Sequence, residues 1–440
     1  MKIISSDQIA QMLKDHAKWL ADKSSGSRAD FSETDLTRFN FAGADLREAD
    51  FTRAGLDGAN FEAADLRNAT FTWAIMPNAI FYRANLSDSN MRGVDAPEAN
   101  FSEANLTGAN LWGGAFFGCK FDKANCSAAD LRGVDFVGTT FVDTTFVNAD
   151  LGAADLSTAA LHRANLTNAD LRGTTFANAD LTGSILSGAM LQGANFNHAK
   201  LTETCLQETN LRDASFADAN LAGVDLHGMN LRGGHFNRAN FCEADLRGAD
   251  LSEAECQEAN MCWADLEGAK LCNALIRSII ATGANFKNAD LRGVDGTSAI
   301  FNDAILVNIR AESAYLNEAG FAKARLTGCD LRMANIYNTN FTGATIQNGT
   351  FDEANATGAN FSSADIRNSC FRGTILVNAR FRAADLRGTN LSRAALRDAD
   401  MTKADLRGAD LVNTNLEYVN LGTTTLDDSI IDPSTSTMQM

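Results

Sequence analysis

From Phe31 to Ile431 a large apolar residue falls on every fifth position: Phe31, Leu36, Phe41, Leu46, Phe51, Leu56 and onward. The run holds 81 pentapeptides without insertion or deletion, and at 74 of these centres the residue is Leu, Phe, Met or Ile. Two residues before each centre stands a small residue, most often Ala. A period of five fits neither an α-helix nor a simple strand. Within each unit, however, three residues alternate as in a strand: small and inward, polar and outward, large and inward. The next two residues are polar and often end in Gly, as at Gly93, Gly113, Gly133, Gly173 and Gly193. That suits a tight turn with positive φ. Each pentapeptide is therefore one short extended side plus one corner.

Sorting the centres modulo 20 gives unlike columns. One reads Phe41, Phe61, Phe81, Phe101, Phe121, Phe141, and its neighbour Leu46, Leu66, Leu86, Leu106. Like stacks on like every twenty residues, which predicts four sides to a coil. About twenty coils, each rising roughly 4.8 Å, give a filled rod on the order of 95 Å long. Volume is exchanged inside it: Ile279 precedes the small centre Ala281, and Ile309 precedes Ala311, as a close-packed core demands. Ala354 with Ala356 has no such compensation, which predicts a small cavity.

Residues 5–23 read as a helix. Ser5 with Gln8 makes a capping box, and Ile9, Met12, Leu13, His16, Trp19 and Leu20 form an apolar stripe. Solenoids need caps, so the chain divides into a helical cap (1–28), a solenoid (29–431) and a flexible tail (432–440), with Phe39 plugging the first coil. The far end lacks a cap. This predicts a two-fold homodimer meeting end to end around Leu426 and Ile431.

Composition narrows the function. The 440 residues carry 38 Lys+Arg against 55 Asp+Glu, a formal charge of −17, which argues against direct nucleic-acid binding and leaves open a basic protein partner. The N-terminus has no secretory apolar region, and no apolar run approaches the roughly 18 residues of a membrane span. Nine cysteines without C-x-x-C spacing point to a reduced, cytoplasmic protein without structural zinc. Five histidines (His16, His162, His198, His227, His235) share no metal-like spacing, and no nucleophile–base pair or phosphate loop stands out. The expectation is a protein without metal, cofactor or catalytic site, and so not an enzyme.

Units such as Ala169-Asp170-Leu171-Arg172-Gly173, Ala244-Asp245-Leu246-Arg247-Gly248 and Ala404-Asp405-Leu406-Arg407-Gly408 resemble the pentapeptide-repeat family and its A-(D/N)-L-x-x consensus. The resemblance covers about nine-tenths of the chain. It implies an all-β fold, a right-handed quadrilateral β-helix with a short N-terminal α-helical cap. Some members of that family inhibit DNA gyrase by imitating duplex DNA in shape and charge.

Candidate sites lie on the outside. Leu275, Ile280, Ile300 and Ile305 occupy outward slots normally given to Asp or Asn, with Ile280 and Ile300 stacked on one side. Contiguous exposed apolar surface marks a partner site, so this stretch is the candidate for binding a protein of unknown identity. A weaker patch includes Trp112 and Phe117. The alternative is a DNA-mimic inhibitor or protector of gyrase. The most acidic side holds 13 outward acids against 4 bases, among them Asp57, Asp95, Glu98, Asp135, Asp155, Asp218, Glu255, Glu258, Asp295 and Glu318. A charge of −17 along such a rod is under about 0.2 per Å, against about one per 1.7 Å in duplex DNA. An outward column of arginines (Arg132, Arg172, Arg212, Arg232, Arg292, Arg332, Arg372) is expected to pair with neighbouring carboxylates rather than grip phosphate. Cys242 and Cys262, twenty apart, are expected to be free thiols.

Overall fold

The computed structural model describes residues 1–432, and its contacts divide into two compact units, Met1–Asn220 and Leu221–Met440. Both are built from the same coil, a β-helix solenoid. In each, the outward residue of a pentapeptide forms a parallel bridge to the residue twenty positions on: Asn40 to Asn60 to Ile80 in the first unit, Asp245 to Asp265 to Asn285 in the second. The register of the columns is thus the register of the sheet. The extended sides are shorter than the three-residue alternation suggests, since a single residue per side makes the bridge.

Coil closure lies in the corners. The N–H of the third residue after a centre donates to that centre's carbonyl, as from Ala49 to Leu46 at 3.0 Å. The residue just before that donor is left-handed at every corner from Glu33 (φ 55) to Tyr418 (φ 58). Glycine fills many of these slots, but Glu, Asp, Asn, Arg and even Trp adopt the same conformation. The coil imposes on them a backbone that side chains other than Gly and Asn resist.

The inside is filled. Nearly all centres and small slots are buried along both units, and phenylalanines of successive coils stack at the coil spacing. Phe51 lies 4.8 Å from Phe71, and Phe341 lies 4.9 Å from Phe361, with nearly parallel rings. Neighbouring columns meet edge to face, as Phe51 does with Phe61 at 5.5 Å, the arrangement aromatic quadrupoles prefer. Where Ser or Thr replaces Ala in a small slot, its hydroxyl usually donates to the carbonyl of a centre 23 residues earlier: Thr139 to Phe116, Thr144 to Phe121 and Thr174 to Leu151, at 2.7–2.9 Å. At the centre Gly296, Leu316 and Ile276 lean into the space a side chain would use. Ile279, Ala281, Ile309, Ala311, Ala354 and Ala356 are all buried.

The N-terminal cap has two parts. Strand β1 (Lys2–Ile3) pairs in parallel with strand β2 (Thr34–Asp35) of the first coil, covering part of an edge that would otherwise lack partners. Helix α1 spans Ser6–Ala21, shorter than 5–23, with the Ser5–Gln8 capping box formed and Asp22 extended at its end. Of its apolar stripe only Ile9 and His16 are buried, and Met12, Leu13, Trp19 and Leu20 are half-covered. His16 Nδ1 accepts the Ala29 N–H at 3.0 Å, which joins the helix to the first coil. Phe39 is half-buried, its ring 4.5 Å from that of Phe41. Strand β1 was not legible as a cap, because two residues carry no periodicity. Most of the expected tail, 433–440, lies outside the described residues.

Candidate functional site

The outward Asp and Asn residues do more than face solvent. Their Oδ1 accepts the N–H two residues on, as Asn60 does from Glu62 (2.9 Å) and Asp250 from Ser252 (3.0 Å), a local bond that fixes the corner. Where the corner begins with Arg, its guanidinium closes a forked pair on the same carboxylate: Arg132 on Asp130, Arg292 on Asp290 and Arg332 on Asp330, each at 2.7 Å. The Asp-Leu-Arg triplet is a self-neutralising unit. Hydrogen bonding to Arg132 holds Asp130 below the ordinary carboxylate range, and Arg367 brings Asp365 to about 2. Arg172 pairs with Asp170, Arg232 with Glu253, Arg372 with Asp352 and Arg212 with Asp213. All seven arginines of the column are thus paired within the chain.

The apolar candidate lies in the second unit. Ile280 and Ile300 are bridged directly, one coil apart, and are 42% and 37% exposed. Leu275 and Ile305, on the flanking sides, are half-buried, so they frame the pair more than they extend it. Leu275 bridges Asp295, and Ile305 bridges Asn285 and Arg325. Sequence reading missed Trp263, which stands at the corner of the coil below Ile280 and is 63% exposed. Its ring lies over Gly283 in the next coil, where a Cβ would collide with it. The signal was present as a Trp in a corner slot with Gly twenty residues on. The same pairing occurs in the first unit, Trp73 over Gly93, beside exposed Ile75 and Ile80. Trp112, of the weaker patch, is capped by Arg92 at 4.3 Å, while Phe117 is exposed.

The acidic residues divide between the units. In the first, Asp95, Glu98 and Asp135 are exposed, and Asp57, Asp155 and Asp218 are half-buried. In the second, Glu258 and Glu318 are exposed, while Glu255 and Asp295 are half-buried and engaged: Glu255 with His235 at 3.2 Å, Asp295 with Arg277 at 2.6 Å. Of these, Asp295 is neutralised by the Arg277 guanidinium. At the far end Leu426 and Ile431 are half-buried, together with Leu421, whereas almost all earlier centres are buried.

The structure brings His227 together with Asp225 and Asp245, with ligand atoms within 4.8 Å of one another. Spacing missed this grouping because it spans two coils. Asp245 is already held by Arg247. All nine cysteines are free, Cys242 and Cys262 among them. Burial pushes the thiols of Cys119, Cys256 and Cys329 up to about 12, which removes them from thiolate chemistry. No helix among the described residues is long and apolar enough to cross a membrane.

The family model described as Pentapeptide repeats (8 copies) matches the chain in stretches running from residue 27 to residue 417. No curated protein matches it. Similar solved structures include a trypsin-treated variant of QnrB1, a plasmid-mediated fluoroquinolone resistance protein, with 17% identity over 48% of this chain and 93% of that one and a TM-score of 0.31. HetL, involved in heterocyst differentiation regulation in the cyanobacterium Nostoc sp. strain PCC 7120, shares 26% identity over 66% of this chain and 96% of its own, at TM-score 0.17. A pentapeptide repeat protein from the Arabidopsis thaliana thylakoid lumen shares 21% over 30% and 70%, at TM-score 0.12.

Proposed function

The chain belongs to the pentapeptide-repeat family, and from that premise we propose that it is a rigid, non-catalytic scaffold that captures a protein partner through the lateral surface around Ile280 and Ile300. In this reading each unit winds as a right-handed, four-sided β-helix, about twenty coils in all, consistent with bridges twenty residues apart. The filled core leaves the exterior as the working surface.

The observation that carries the reading is the bridged pair itself. Two β-branched aliphatics sit in consecutive outward slots of a column that most often holds turn-forming Asp or Asn. Neither can accept the corner N–H, so both give up a local bond for apolar exposure. With Trp263 nearby they supply aliphatic and aromatic anchors of the kind that dominate interface energetics. A reducing compartment, the cytoplasm, suits nine free thiols.

The gyrase-directed reading has less support. Forked Arg–Asp pairs neutralise much of the outer charge, whereas a duplex mimic needs dense, unpaired negative charge.

Affinity capture from source-cell lysate with the full chain as bait tests the proposal. The double variant Ile280→Asn, Ile300→Asn is expected to keep the wild-type melting profile, since Asn is native to this slot, and to lose the captured protein. Capture unchanged by the double variant would refute it. For the far end we propose a two-fold contact through Leu426 and Ile431. Light scattering at tens of micromolar is expected to give twice the chain mass, and a monomeric mass removes that contact.

A further inference from the structure

A second lateral surface, wholly within the first unit, differs from the Ile280–Ile300 patch in chemistry. One side carries Gly55, Ile75, Asp95, Ala115, Asp135, Asp155 and Thr175 bridged in series. At its corners Pro77, Pro97, Phe117 and Val137 occupy the same slot of successive coils. Ile75 is 46% exposed and Phe117 51%, so an apolar ridge runs along the side.

Five acids border this ridge: Asp57, Asp95, Glu98, Asp135 and Asp155. The outward slots of the side hold no Lys or Arg from residue 55 to residue 198. Among the described residues none of the five has a cationic partner, in contrast to the forked Arg–Asp pairs elsewhere. Asp95 stands out further. Its carboxylate would normally accept the N–H two residues on, but that residue is Pro97, which has none. Asp135 and Asp155 do accept theirs, from Val137 at 3.0 Å and Ser157 at 2.9 Å. Among the described residues the Asp95 carboxylate has no donor.

We propose that this side docks a basic amphipathic helix of a partner protein. Charge complementarity fixes the sign: five uncompensated carboxylates beside apolar side chains suit Lys or Arg beside aliphatic residues. Geometry fixes the form. The backbone groups of each coil are taken up by the coils before and after, as Ile75 N–H is by Ala54 and its carbonyl by Leu56. A segment lying on this flat side finds no backbone partners and must satisfy its own, which a helix does. Asp95 and Asp135 lie two coils apart, roughly 10 Å at about 4.8 Å per coil, close to seven helical residues at about 1.5 Å each. Asp135 and Asp155 are one coil apart, matching a further three or four residues.

The test uses the full chain and a labelled Leu/Lys peptide of about twenty residues, with Lys seven and then four residues apart beside an apolar face, read by fluorescence anisotropy. A control peptide carries Glu in place of Lys. The Lys peptide is expected to bind, the Glu peptide not to bind, and affinity to fall on raising salt. Asp95→Asn with Asp135→Asn removes two charges while leaving an amide oxygen to accept the Val137 N–H, and is expected to weaken binding about tenfold or more. Phe117→Ala is expected to weaken it separately, with circular dichroism reporting an intact fold. The Ile280→Asn, Ile300→Asn variant is expected to bind the peptide as wild type, which keeps this surface distinct from the proposed capture patch. Absence of binding, equal binding of both peptides, or binding unaffected by the Asp95 and Asp135 substitutions overturns the proposal.

Discussion

The ring of Trp263 occupies the place that a Cβ on Gly283, one coil further along, would need. Gly283 is left-handed, φ +69. An Ala there meets two obstacles, the backbone and the ring. Gly133, φ +60, has nothing within 4 Å of its hypothetical Cβ and meets the first alone. Gly133→Ala is expected to cost about 1 kcal/mol in denaturant unfolding. Gly283→Ala is expected to cost more and to red-shift the tryptophan emission as Trp263 swings into water. Equal costs and an unchanged spectrum would mean that the ring does not rest on the glycine.

Thr158 offers the reverse experiment. Of the two threonines in the left-handed corner slot, Thr158 (φ 58) adopts positive φ and Thr423 does not. A β-branched residue is poorly suited to that conformation. Thr158→Asn is expected to raise stability by about 0.5–1 kcal/mol, read as a shift in the unfolding midpoint. A lower midpoint would contradict the strain assigned to this corner.

Periodicity made the coil legible, because a buried volume every fifth residue and matched columns every twentieth leave little else to build. The α1 capping box was legible for the same local reason. The corners were legible in position but not in which residues would take up positive φ. Glycine marked some of them, but nothing in Glu33 or Trp263 announces a left-handed residue; the closed coil enforces it. Outward Asp and Asn read as solvated, and only the geometry identified the N–H they accept. The Ile280–Ile300 stack followed from spacing alone, whereas the ring resting on Gly283 and the unpartnered Asp95 carboxylate required side-chain positions.

Hydroxyls in the core give a paired prediction. Thr139 donates to Phe116 at 2.7 Å, while the buried Ser184 hydroxyl has no partner among the described residues. Thr139→Val is expected to destabilise by about 1 kcal/mol, and Ser184→Ala, which restores the usual residue of the slot, to be neutral or stabilising by up to about 1 kcal/mol. Chemical denaturation of both variants checks the pair; equal losses would contradict it.

His16 makes the cap sensitive to acid. Its ring is fully buried, stacked 5.7 Å from Trp19, with Nδ1 accepting from Ala29. Burial lowers its pKa; Asp45 and Glu48 oppose this and Lys23 adds to it. A depressed histidine pKa means that the unfolded form binds the proton more readily. The cap is therefore fully stabilised above the ordinary histidine pKa near 6.5, and loses stability as pH falls from there toward the lower folded value. Hydrogen exchange of α1 amides is expected to quicken from pH 7.5 to 5.5, after correction for intrinsic rates, and His16→Gln to flatten the change. Protection independent of pH would rule out a neutral, buried His16.

The claim that the exterior around Ile280 and Ile300 is the working surface is tested most directly by hydroxyl-radical footprinting of the chain alone and with its captured partner. Trp263, Ile280 and Ile300 are expected to be protected, with Tyr418 and Trp19 as reactive as before. Undiminished labelling of Trp263 and Ile300 in the complex, or protection confined to other surfaces, would contradict it.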